Sequence, residues 1–253
     1  MLQIDLNNKI AIVTGASRGI GEAIARGLAE CGAHVILTSR NKESLQIIAE
    51  SINKNQQKAT AIACHSGKLE EIESLIQTVR QDYGQLDILI NNAATNPYYG
   101  PAGDISPEAF NKTLEVNLRG PYFMMSAALP LMIESGGGSI VNVASIAALK
   151  PAKGQAVYAM TKAGLVSLTE SFANEYGHQG IRVNAILPGI IETQFAQALI
   201  DNPAVQKLLS RIPAARAGKT KDMVAGVLYL VSEGAAYTTG ASLVMDGGTT
   251  ISI

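Results

Sequence analysis

A chain of 253 residues that is 47% hydrophobic and carries a formal net charge of -1 can build one large α/β domain around a sizeable core, and it has no electrostatic footprint for nucleic acid or an anionic membrane surface. No run reaches the roughly 18 apolar residues of a membrane span, and the start Met1-Leu2-Gln3-Ile4-Asp5-Leu6 lacks a basic region with an apolar one behind it, so a cytoplasmic protein is expected. The two cysteines, Cys31 and Cys64, read as reduced packing residues, and His34, His65 and His178 lack zinc-site spacing, so no metal is expected.

The first predicted strand, 9–13, runs into Thr14-Gly15-Ala16-Ser17-Arg18-Gly19-Ile20-Gly21 and then into a helix over 19–31. Glycines at 15, 19 and 21 let the backbone turn tightly and approach a pyrophosphate, whose charge the helix N-terminus stabilises. The spacing is GxxxGxG. A tight strand-to-helix connection would use the same glycines, but the position after the first strand of a βαβ unit favours dinucleotide binding. The second strand, 34–38, is followed by Ser39 and Arg40, where an NAD enzyme usually carries a carboxylate for the ribose hydroxyls. None is there. Arg18, Ser39 and Arg40 instead offer donors to a 2′-phosphate, which a guanidinium binds bidentately, so NADP(H) is expected over NAD(H). The alternative is that both arginines are solvated surface charges.

Helix 43–53, strand 60–64, helix 69–83 and strand 86–90 follow. After the fourth strand, Asn91-Asn92-Ala93-Ala94 reads as a shelf beneath the adenosine ribose, with a turn cap as the alternative for either asparagine. The stretch 95–107, rich in Pro, Gly and Tyr, has loop character. Strand 139–144 then ends at Ser145, and helix 155–176 carries Tyr158 and Lys162 four residues apart on one face. A free tyrosine titrates near 10, and a cation within about 4–6 Å favours the phenolate, so Lys162 is expected to pull the Tyr158 pKa down and make it a proton donor. Strand 182–187, a loop stretch 188–213, helix 221–231 and strand 242–245 complete the chain. Strands apolar on both sides and separated by helices imply an α/β fold with a mainly parallel seven-stranded sheet between helices. Both loop stretches border the crevice at the strand carboxyl ends, where ligands bind in such sheets.

Thr14 to Gly21, Asn91 to Ala94, Asn117, Ser145, Tyr158-x-x-x-Lys162, Pro188-Gly189 and Asp246-Gly247-Gly248 occur in order along the chain, which thereby resembles the short-chain dehydrogenase/reductase family over essentially its whole length. The resemblance implies a single doubly wound Rossmann-type domain over 1–253, with Asn117, Ser145, Tyr158 and Lys162 as a catalytic tetrad. In that reading Ser145 and Tyr158 meet the substrate oxygen, Lys162 also holds the nicotinamide ribose, and Asn117 keeps a water behind the lysine. Gly15, Ser17, Arg18, Gly19, Ile20, Gly21, Ser39, Arg40, Asn92, Ala93, Tyr158, Lys162, Pro188, Gly189, Ile191 and Thr193 would bind the cofactor, Thr193 and the backbone around Ile191 at the carboxamide.

A substrate lid is expected around 190–213, containing Phe195, Leu199 and Leu208, to which no site is assigned. His65 stands where the family commonly has an Asp for the adenine amine, which leaves the adenine contact unassigned. The segments Cys64 to Lys68 and Asn91 to Gly100 resemble the NADP-dependent carbonyl reductase and retinol dehydrogenase subgroup, implying an apolar ketone or aldehyde with Tyr98, Tyr99 and Ile146 as walls. The alternatives are a 3-oxoacyl thioester (acyl-carrier-protein) reductase, for which Arg119, Lys150 and Lys153 are the basic residues near the mouth, and a non-catalytic NADP(H)-sensing protein. Relatives pair the tyrosine-bearing helix and the C-terminal region, and the apolar tail 249–253 adds modest support, so a homotetramer is expected.

Overall fold

Seven apolar segments form one sheet in the computed structural model, which describes residues 4–193, 205 and 209–252. The strands are β1 (Ile10–Thr14), β2 (His34–Ser39), β3 (Lys58–Ala63), β4 (Ile88–Asn91), β5 (Gly138–Val143), β6 (Ile181–Pro188) and β9 (Ser242–Met245). Their order is β3-β2-β1-β4-β5-β6-β9, and every bonded pair is parallel. Side chains alternate between faces with period two. Ala11 and Val13 of β1 therefore join one core and Ile10 and Ile12 the other. That double burial is why the strands read as unbroken apolar runs rather than as alternating ones.

Helices α1 (Gly19–Glu30) and α2 (Lys42–Asn53) pack on the first face, contributing Ile24, Leu28, Leu45 and Ile52. On the second face α3 (Leu69–Tyr83) contributes Ile72, Leu75 and Val79. Their apolar residues fall at helical spacing, so both faces were legible in the sequence. Between β4 and β5 the chain forms α4 (Pro107–Leu114), a π-helical turn (Glu115–Arg119) and α5 (Gly120–Glu134). The sequence reading did not single these out. In α5, Met124, Met125, Ala128, Leu129, Leu131 and Met132 are buried while Tyr122 and Phe123 stay exposed, so its apolar residues surround the axis and leave no stripe. The long helix α6 (Ala156–Tyr176) then covers β5 and β6, and α7 (Val224–Val231) packs Val227 and Leu230 into the first core.

The stretch expected as loop from residue 188 begins instead with a short strand. β7 (Ile191–Glu192) pairs in parallel with β8 (Gly218–Lys219), and the Gly218 N–H donates to Ile190 O at 2.9 Å. Most of the expected lid between these strands, with Phe195, Leu199 and Leu208, lies outside the described residues. The tail forms a short helix, α8 (Thr249–Ser252). Among the described residues no helix is long and apolar enough to cross a membrane.

Candidate active site

Strand order reverses between β2-β1 and β4, and a cleft of about 520 Å³ opens there along the strand carboxyl ends. Thr14, at the end of β1, closes its floor: the hydroxyl donates to Ile90 O at 3.2 Å and accepts from the N–H groups of Asn92 and Ala93 at 2.9 and 3.0 Å. Gly15 and Gly19 take φ +64, a left-handed conformation that favours glycine. A Cβ on Gly21 would lie 2.4 Å from both Gly15 O and Asn92 Nδ2, so this glycine is required for packing and does not itself line the cleft. Arg18 caps α1 in extended conformation without a side-chain hydrogen bond to the helix, which leaves the first-turn amides to an anion.

Gly15, Ser17, Arg18, Gly19, Ile20, Ser39, Arg40, Asn92 and Ala93 all line the cleft. Asn92 lines the cleft while its amide donates to Thr14 O at 2.8 Å and Gly15 O at 3.2 Å, so the side chain also braces the glycine turn. Asn91 is buried and donates to Asn142 Oδ1 at 2.9 Å; Asn142 in turn donates to Thr169 Oγ1 at 2.9 Å. That polar chain ties β4 and β5 to α6, the helix that carries Tyr158 and Lys162.

Arg18, Arg40, Lys112, Lys150 and Lys162 line the cleft, and no carboxylate does among the described residues. An uncapped helix start, a glycine cradle with no room for side chains and a wholly cationic set of charges fit a dinucleotide bearing several phosphates. The residues present therefore suit NADP(H).

Tyr158 and Lys162 share one face of α6, with Lys162 Nζ 5.7 Å from the Tyr158 ring centre. Ser145 stands across from them at the end of β5, hydrogen-bonded to the phenol. Its hydroxyl also accepts the Ala147 N–H at 3.1 Å, so capping and site placement coexist. The expected depression of the Tyr158 pKa is absent: burial raises it, and the Ser145 bond only partly opposes that. Lys162 is 2% exposed, its ammonium donates to Val143 O at 2.7 Å, and burial brings its pKa down to about 8. Desolvation is the largest influence on both groups, opposed at Tyr158 by the Ser145 hydrogen bond.

Asn117 lies in the π-helical turn, fully buried. Its Oδ1 accepts the Thr95 N–H at 2.7 Å, and its amide donates to Thr95 O at 2.8 Å and Thr161 Oγ1 at 3.2 Å. The side chain thus pins the loop after β4 to the residue beside Lys162 and does not line the cleft.

Pro188, Gly189, Ile191 and Thr193 line the other end, Thr193 Oγ1 donating to Ile191 O at 3.4 Å. Behind them the Asp246 carboxylate accepts the N–H groups of Gly248 and Thr250 at 2.8 and 2.7 Å. A Cβ on Gly189 would come within 2.8 Å of Asp246 Cα, so the Asp-Gly-Gly motif supports the cleft from outside. Tyr99, Ile146, Ala147, Ala152 and Ile190 form largely apolar walls next to Tyr158. Tyr98 is not among them, because its hydroxyl donates to Pro101 O at 2.8 Å within its own loop. Cys64 is buried with its thiol pushed up to about 11, in keeping with a packing residue. Lys112, which no motif flagged, enters from α4 beside His65.

Residues 15–250 match a family model described as Enoyl-(Acyl carrier protein) reductase. The chain is 40% identical over 244 residues to Dehydrogenase/reductase SDR family member 4 of Oryctolagus cuniculus, covering 96% of this chain and 94% of that protein. It is also 40% identical over 254 residues to the L-rhamnose 1-dehydrogenase (NAD(P)(+)) of Azotobacter vinelandii, covering 98% of each. A crystal structure of a gluconate 5-dehydrogenase from Burkholderia cenocepacia in complex with NADP and tartrate superposes with a TM-score of 0.95 at 30% identity, covering 99% of this chain and 98% of that one.

Proposed function

The chain belongs to the short-chain dehydrogenase/reductase family, and from that premise we propose that it is an NADP(H)-dependent oxidoreductase transferring a hydride between the nicotinamide and a carbonyl or alcohol substrate, an apolar ketone or aldehyde. The observation that carries the reading is the meeting of Ser145, Tyr158 and Lys162 at one end of a cleft lined by cations and, among the described residues, by no carboxylate. When bound, the nicotinamide supplies the hydride in reduction and takes it in oxidation.

The residues of the chain handle the proton. Hydride arrival leaves negative charge on the substrate oxygen, which preorganised donors must meet. Tyr158, kept protonated at neutral pH by its raised pKa, donates its proton to that oxygen, and the Ser145 hydroxyl donates a hydrogen bond to it. The phenolate left behind is stabilised by the Lys162 ammonium, which is still charged at pH 7 with a pKa of about 8. In the reverse direction Tyr158 accepts the proton. Asn117 acts on this group through Thr161 and the loop at Thr95. Arg18, Ser39 and Arg40 take the 2′-phosphate, and Ile191 with Thr193 borders the nicotinamide.

The apolar walls formed by Tyr99, Ile146, Ala147 and Ile190 support a ketone or aldehyde of low polarity. A carrier-protein thioester has less support: Arg119 donates to Gly67 O at 3.2 Å, and neither it nor Lys153 lines the cleft, which leaves Lys150 of the three basic residues on it. The self-association expected for a homotetramer is supported by Tyr122, Phe123 and Met160, exposed on α5 and α6.

Tyr158→Phe tests the reaction: turnover of aromatic ketones and diketones should fall by at least about a hundredfold while NADPH binding, read by its fluorescence, stays near wild type. Retained turnover would defeat the assignment, and a wild-type protein that binds NADPH tightly yet oxidises it with none of these substrates would favour a sensor. At least tenfold higher kcat/KM with NADH would reject the NADP(H) preference.

A further inference from the structure

Beyond Arg40 the cleft ends in a group of hydrogen-bond donors. His65 follows β3, and Lys112 reaches it from α4, with Nζ 3.0 Å from His65 Nε2 and 3.2 Å from Glu115 Oε1. On the other side of the ring the Gly67 N–H donates to Nδ1 at 3.0 Å. A neutral imidazole has one bare nitrogen, so it cannot accept from both Gly67 and the Lys112 ammonium. Burial, then the neighbouring Lys112 charge, hold the His65 pKa below its ordinary value, so protonation does not resolve the conflict.

Of the two contacts, Gly67 is the fixed one. The His65 N–H donates to Glu71 Oε2 at 2.7 Å and the Lys68 N–H to His65 O at 2.9 Å, while Gly67 O accepts from Arg119 at 3.2 Å. A Cβ on Gly67 would meet the Glu115 side chain, 2.2 Å from its Oε1, so Glu115 packs directly over this turn. The Lys112 side chain, 38% exposed, can move. Nδ1 then remains the acceptor and Nε2 carries the hydrogen, which turns two donors toward one space. The nearby carboxylates are held by other donors: Glu115 Oε1 accepts from Lys112 and lies 4.0 Å from His65 Nδ1, on the Gly67 side of the ring, and Glu71 accepts from the His65 backbone and from Lys68 at 3.0 Å.

We propose that this chain reads the base of its dinucleotide with donors, His65 Nε2–H and the Lys112 ammonium, in place of an acceptor for the exocyclic amine. The inference deepens the cofactor reading above and rests on it. The end of β2 takes the adenosine ribose in this fold, so the base falls toward β3, where His65 and Lys112 stand. Adenine offers ring nitrogens to those donors, but its amine offers them nothing. Hypoxanthine has a carbonyl oxygen where adenine has the amine and a hydrogen on N1, so its gain is confined to the edge formed by N7 and that oxygen, which presents two adjacent acceptors to the two donors.

The test is a fluorescence titration of the purified protein, without substrate, with NADPH and with its hypoxanthine analogue. The analogue should bind at least as tightly as NADPH, and Lys112→Met should weaken it by about tenfold, the loss of one charge-assisted hydrogen bond, removing any advantage over NADPH. Binding of the analogue ten or more times weaker than NADPH would reveal an acceptor at the amine and overturn the inference alone. Wild-type affinities for both nucleotides in Lys112→Met would overturn it as well. If neither nucleotide binds the wild-type protein, the cofactor reading falls and takes this inference with it.

Discussion

At Lys162 the requirements of the site and of the fold oppose each other. Burial favours the uncharged amine and lowers its pKa from 10.5 to about 8, a difference worth roughly 3 kcal/mol. The sign follows from proton counts. Below about pH 8 folded and unfolded chains both carry the proton, and the folded state bears the whole penalty; between about 8 and 10.5 only the unfolded chain keeps it, so stability rises with pH. Lys162→Met should therefore stabilise the protein at pH 7 by about 1–2 kcal/mol, after loss of the hydrogen bond to Val143 O, while removing turnover. Urea denaturation at pH 7 and pH 10 checks this, since the gain should shrink at the higher pH. The same titration reaches catalysis: kcat/KM for reduction, which reports the free enzyme, should decline above about pH 8 as Lys162 loses its proton. A profile flat to pH 10 would show that the ammonium is dispensable. That Tyr158 and Lys162 share a helix face was legible from their spacing of four, and Ser145 with the order of the other motifs was needed to single the pair out, but the direction of the tyrosine's pKa was not legible, because spacing carries no information about burial.

Among the elements, the β1–α1 connection has little tolerance. Gly21 faces Gly15 O and Asn92 Nδ2, each 2.4 Å from where its Cβ would be, and Asn92 is the brace that holds the turn. Gly21→Ala should weaken NADPH binding by about tenfold or more and destabilise the fold by about 1–3 kcal/mol, with nucleotide titration and thermal melting as the readouts. Unchanged affinity would mean that the brace is not needed. Glycine spacing revealed this turn in the sequence, since close backbone approach demands glycine wherever it occurs. The strands and α1, α2 and α3 were equally legible, from period two buried on both faces and from period 3.6. Helix α5 escaped notice because its exposed side carries apolar residues such as Tyr122 and Phe123 as well, which erases the stripe. The π-helical turn at Glu115–Arg119 has no sequence periodicity of its own, though it is what turns Asn117 toward Thr95 and Thr161.

For the molecule as a whole, the sheet is covered on both faces, yet Tyr122 and Phe123 on α5 and Met160 on α6 remain exposed, as do Val244 and Ile251 near the C-terminus. Two such apolar regions on different elements suit a tetramer built from two interfaces. Light scattering at micromolar concentration should give four times the mass of the chain, and a monomer would reject the expectation. What the sequence determined by itself is everything that depends on near neighbours: parallel strands from apolar runs, a tight strand-to-helix turn from glycines, a Tyr–Lys pair from helical spacing, and cations in place of a carboxylate after β2. What only the tertiary structure decided depends on distant segments meeting. Lys112 approaches His65 across 47 residues, Asn142 links Asn91 to Thr169, and the Lys162 pKa falls because packing removes it from water. Hydrogen bonding and desolvation act through space, so their outcome is set by packing rather than by order along the chain.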